Sequence, residues 1–67
     1  MTVREGDRYH DPHADKEFVV TDAPDTFGKS TAELDQLYVR IKYDDGEVMS
    51  VPHERFRGRT SYEQVAA

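Results

Sequence analysis

The chain of 67 residues contains no cysteine and no tryptophan. Without thiols there is no disulfide framework and no thiolate metal site, so sulfur chemistry does not fix the compartment. No apolar run approaches the roughly 20 residues of a membrane span. The N-terminal stretch MTVREGDRYH lacks the basic and apolar regions of a secretion signal. A Gly-rich phosphate loop is missing, and no serine stands in a recognisable nucleophile setting. These absences point to a cytoplasmic protein that neither contacts a membrane nor needs a cofactor, and they argue against an enzyme.

Size argues the same way. A chain this short buries only about 60% of the surface its unfolded form exposes. A pocket of roughly 300 Å³ would consume much of its interior, so work done at the surface is the expectation. Residues 3–62 are expected to form one small β domain, with 63–67 a frayed tail.

Charge is plentiful but uneven: fourteen carboxylates against nine cations give a formal net charge of -5. Asp outnumbers Glu eight to six, and Arg outnumbers Lys six to three. Short carboxylates hold water and ions closely, and few long lysine stems dress the surface. That is the composition of a protein working in molar salt, which points to a halophilic source.

Alternation with period two dominates what remains. In LYVRIKY, residues Leu37, Val39, Ile41 and Tyr43 fall on one face and Tyr38, Arg40 and Lys42 on the other, the pattern of a half-buried strand. The following stretch YDDGEVMSVPHERF sets a hairpin. A three-residue Asp44-Asp45-Gly46 loop pairs Ile41 with Met49 and Val39 with Val51, which keeps the apolar residues of both strands together. It also puts Gly46 where a type I turn followed by a bulge needs positive φ. Pro52 then ends the ladder for want of an N–H, and HERF forms one 3₁₀ turn that drops Phe56 into the core.

Upstream, EFVVTDA reads as a strand, and VREGDRYH as a first strand interrupted at Gly6-Asp7. Ser30 and Glu33 match a capping box, so one helical turn over residues 31–36 fits. The stretch RGRTSYEQVAA supplies a last strand around residues 57–62, or a short helix starting near Ser61. Five short strands of this kind predict a mainly β fold, either a small barrel, which removes exposed sheet edges, or a strongly bent antiparallel sheet.

Val3, Gly6, Asp7 and Tyr9 in VREGDRY, with the hairpin and 3₁₀ turn of YDDGEVMSVPHERF, resemble SH3-like barrels of the KOW and Tudor kind over about half the chain. The resemblance implies a five-stranded barrel and a role in binding RNA, DNA, ribosomal surfaces or peptides. The chain departs from those families in having no tryptophan, only Tyr9, Tyr38, Tyr43 and Tyr62 for an aromatic cage, and no glycine-bearing KOW signature.

Three groups of residues carry candidate chemistry. Arg40 and Lys42 with Tyr38 form the outer row of the central strand, and Arg55, Arg57 and Arg59 alternate downstream. Guanidinium groups grip phosphate and tyrosine stacks on bases, so these six are the expected partner-binding surface for a nucleic acid or a protein. The plainer reading pairs those cations with neighbouring carboxylates. His10, His13 and Asp15 offer two imidazoles and a carboxylate to a divalent metal, although Asp11-Pro12 also reads as an ordinary polar turn. A metal-binding or metal-stabilised module is thus the alternative to a macromolecule-binding adaptor. His53 beside Glu54 has acid-base chemistry, but adjacent residues tend to point apart. Val19, Tyr38 or Met49, if partly exposed, would favour a homodimer through a sheet edge or an apolar patch.

Overall fold

The computed structural model describes residues 3–57 and 61–65. Five antiparallel strands lie in one sheet: β1 (Arg8–Asp11), β2 (Lys16–Asp22), β3 (Tyr38–Tyr43), β4 (Val48–Pro52) and β5 (Glu63–Gln64). Their spatial order is β4-β3-β2-β1-β5. A one-turn helix, α1 (Thr31–Leu34), stands between β2 and β3, and a 3₁₀ turn (His53–Phe56) follows β4. No helix among the described residues is long and apolar enough to cross a membrane.

The central hairpin forms as its pattern requires. Ile41 opposes Met49 and Val39 opposes Val51. The Gly46 N–H donates to the Tyr43 carbonyl at 2.9 Å, the Tyr43 N–H donates to the Glu47 carbonyl at 2.8 Å, and Gly46 has φ of +94°. A side chain at Gly46 would meet nothing within 4 Å, so backbone strain alone selects glycine there.

The first strand breaks where expected. Gly6 donates to the Val20 carbonyl at 2.8 Å while Val20 donates to the Asp7 carbonyl at 2.8 Å, so two residues face one, as in a bulge. The capping box is also present: the Ser30 hydroxyl accepts from the Glu33 N–H, and the Glu33 carboxylate accepts from the Ser30 N–H. It holds a turn with no buried residue.

The inner face of the sheet is the core. Tyr9, Phe18, Val20, Val39, Ile41, Tyr43 and Val51 line it, and Val3, Phe56 and Tyr62 cover it. Phe18 sits at the centre, 5.8 Å from Tyr9, 5.5 Å from Tyr43 and 4.8 Å from Tyr62 between ring centroids. Tyr9 stacks on Phe18 while Tyr43 and Tyr62 meet it edge-on, and aromatic packing of this kind lets a short chain bury large apolar area in few residues. The hydroxyls of Tyr9 and Tyr62 find no hydrogen-bond partner among the described residues, so ring packing outweighs two unsatisfied polar atoms.

The sheet is not closed into a barrel. Among the described residues, β4 pairs only with β3, β5 pairs only with β1, and β5 has just two residues. Pro52 removes a donor at the end of β4, and the chain then turns inward. Phe56 and Tyr62 cap the core in place of a closing strand pair, with the Tyr62 N–H donating to the Arg55 carbonyl at 3.2 Å. The last described strand lies at Glu63–Gln64, opposite His10 and Tyr9, and no helix starts at Ser61; residues 58–60, the middle of the strand expected around 57–62, lie outside the described residues. An open sheet leaves β4 as an edge, which explains why Met49 stays 42% exposed although it faces buried Ile41.

Candidate functional site

The five cations and one tyrosine expected to act together occupy two places among the described residues. Tyr38, Arg40 and Lys42 project from the outer face of β3, where the exposed residues alternate with Val39, Ile41 and Tyr43. Arg55 and Arg57 belong to the 3₁₀ turn and the residue after it, on the side of the sheet that Phe56 covers. Arg59 lies outside the described residues.

On the outer face, Lys42 stands between Val19 of β2 and Val48 of β4, and Arg40 stands opposite Ser50. Tyr38, 62% exposed, lies at the end of the row opposite Pro52. Neither the Arg40 nor the Lys42 side chain forms an ion pair or hydrogen bond among the described residues, even though Asp22 is the register partner of Arg40. The two other cations on the described strands behave differently. Arg8 grips both carboxylate oxygens of Asp44 at 2.8 and 2.9 Å and reaches Glu17 at 3.4 Å. Lys16 pairs with Asp45 at 2.9 Å and lies 4.8 Å from the Tyr43 ring centre. The carboxylates near the hairpin tip are thereby neutralised at the end of the sheet away from Tyr38.

A second arrangement was not visible in the sequence. His13, Glu54, Arg55, Arg57 and Ser61 line a cleft of about 200 Å³ between the β1–β2 turn and the 3₁₀ turn. Arg57 is paired with Asp35, and the Arg55 guanidinium lies 5.8 Å from the Tyr62 ring centre. Asp11 places His13: its carboxylate accepts the His13 N–H at 2.9 Å and the Ala14 N–H at 3.3 Å, and its other oxygen accepts the Tyr43 hydroxyl at 2.9 Å. Burial pushes the Asp11 carboxyl upward, but the Tyr43 hydroxyl and the two backbone donors prevail and hold it below the usual carboxylate range. Burial and the adjacent Asp11 push the Tyr43 phenol well up.

The metal-binding candidates divide as well. His10 Nε2 lies 3.1 Å from Asp15, while His13 lines the cleft beside two arginines. Among the described residues no group of three or more His, Cys, Asp or Glu side chains is arranged to hold a metal ion. His53 is buried, with both ring nitrogens unpartnered among the described residues, whereas Glu54 is exposed. Burial keeps the imidazole pKa below its ordinary value, which favours the neutral ring.

Sequence spacing separates His13 from Arg55 by more than forty positions, and only the Asx turn at Asp11 and the inward turn after Pro52 bring them together. No linear motif encodes that meeting. The chain matches no family model, no curated protein and no solved structure at a significant level.

Proposed function

We propose that this protein is a small non-enzymatic cytoplasmic adaptor that docks a macromolecule on the outer face of its sheet, through Tyr38, Arg40 and Lys42. One observation carries the reading. In an acidic chain whose other described arginines and lysines on the sheet are held by carboxylates, Arg40 and Lys42 stand unpaired beside an exposed tyrosine. They are about 7 Å apart along the strand, and both point outward. A row of an aromatic ring and two cations suits single-stranded nucleic acid, whose bases stack and whose phosphates accept hydrogen bonds.

By analogy alone, the hairpin followed by a 3₁₀ turn supports likeness to SH3-like domains, whose common work is recognition at a surface. In molar salt the Debye length falls to about 3 Å. Affinity there rests on stacking and direct contacts, which Tyr38 and Arg40 supply.

Fluorescence anisotropy with labelled single-stranded RNA and DNA, in low and high KCl, tests the proposal. Tyr38→Ala is expected to weaken binding about tenfold or more, the worth of one stacked base. Arg40→Gln and Lys42→Gln should each lower the salt slope by about 1. No binding in either salt, or variants that bind like the parent chain, would refute the proposal.

A further inference from the structure

We propose that the cleft lined by His13, Arg55 and Arg57 is a second, separate binding site, for a small oxyanion of the phosphate class. The chain carries fourteen carboxylates against nine cations. Yet among the described residues that line it, this cleft gathers two guanidiniums, one of them paired with Asp35, and an imidazole against one carboxylate, Glu54. Its volume of about 200 Å³ admits a phosphate group and part of what the phosphate is attached to.

The two guanidiniums and the turn backbone that carries His13 are held before any ligand arrives. Asp35 anchors the Arg57 guanidinium from one side, and the Arg57 Nε–H has no acceptor among the described residues. The Tyr62 ring supports Arg55. Two backbone N–H groups, of His13 and Ala14, donate to the Asp11 carboxylate and fix the backbone of the β1–β2 turn that carries His13. Side chains ordered in advance lose little rotamer entropy on binding, and a planar guanidinium offers paired N–H groups that match two phosphate oxygens. Glu54 works in the other direction: it repels a bare dianion and accepts a hydrogen bond from a ligand hydroxyl. The site therefore prefers a phosphate monoester bearing a hydroxyl to free phosphate.

The inference does not rest on the outer-face reading, because Tyr38, Arg40 and Lys42 lie across the sheet. Amide ¹H-¹⁵N spectra titrated with inorganic phosphate and, separately, with a nucleoside 5′-monophosphate, at constant ionic strength, test it. Saturable shifts are expected at His13, Glu54, Arg55 and Arg57, with the monophosphate binding more tightly. Arg55→Gln should weaken either ligand about tenfold or more, as loss of a charged hydrogen-bond donor does. Glu54→Gln, at an exposed position, should leave the fold intact and tighten inorganic phosphate several-fold. A purely structural role for these residues would not produce opposite effects from the two variants. Shifts that fail to saturate, that spread equally over Arg8, Lys16, Arg40 and Lys42, or that are unchanged by Arg55→Gln and Glu54→Gln would overturn the assignment.

Discussion

The two faces of the sheet share one backbone alternation but differ in how completely their side chains are used. On the inner face, steps of two along β2 and β3 land on Phe18, Val20, Val39, Ile41 and Tyr43, all buried and in contact with one cluster. On the outer face the same steps land on Glu17, Val19 and Thr21, and on Tyr38, Arg40 and Lys42, none fully buried. Register is set by the inner face, because a slip of one residue would expose that whole set. The outer face is thereby released from setting the register.

The largest effect expected from this contrast is at its centre. Phe18→Ala should cost about 3–5 kcal/mol, against a total of about 3–10 kcal/mol for a domain of this size. Denaturant unfolding followed by tyrosine fluorescence should find the variant largely unfolded. A well-folded Phe18→Ala protein would mean that the inner face does not hold the sheet.

Asp11 comes next. Asp11→Ala strips acceptors from two backbone N–H groups and orphans the buried Tyr43 hydroxyl, at a cost of about 3 kcal/mol. With Tyr43→Phe as the second arm of a double-mutant cycle, the pair should show coupling of about 1–2 kcal/mol. Additive effects would show that the 2.9 Å contact contributes little to stability.

A pH series sharpens the same comparison. Burial depresses the folded pKa of His53 below its ordinary 6.5. The unfolded chain therefore takes up a proton first as pH falls, so stability is full above about 6.5 and declines as pH drops through the window beneath it. Asp11 has a folded pKa below its ordinary 3.8, so its contribution persists above that pH and is lost only in stronger acid. Melting temperatures between pH 7.5 and 5 should fall in the parent chain, and His53→Leu should flatten that slope. An equal fall in His53→Leu would assign the titration to another group.

The smallest effect belongs to the outer face. Arg40→Gln with Lys42→Gln should change stability by less than about 0.5 kcal/mol, because neither side chain has an ion-pair partner among the described residues to lose. A larger loss, measured by urea unfolding, would show that these cations serve the fold.

How far the fold could be read from the chain follows from the same division. The β3–β4 hairpin was legible because apolar register and the glycine turn agree on one loop length. The capping box at Ser30 and the burial of Phe56 are local signals too. Barrel closure was not legible, since a hydrophobic pattern shows which face is buried but not whether β4 and β5 meet. The two-residue β5 exists through its pairing with Tyr9 and His10, which no local propensity announces. Arg57 reads as a free cation until Asp35 is brought beside it. His53, following Pro52, reads as a polar turn residue, and its burial depends on the chain folding inward after β4.

The most direct test of the central claim is an amide ¹H-¹⁵N titration of the full chain, in high KCl, with a mixed pool of short single-stranded RNA and DNA. Docking on the outer face predicts shifts clustered at Tyr38, Arg40 and Lys42 and their neighbours Val19, Val48 and Ser50. An unchanged spectrum, or shifts confined to residues away from that row, would contradict it.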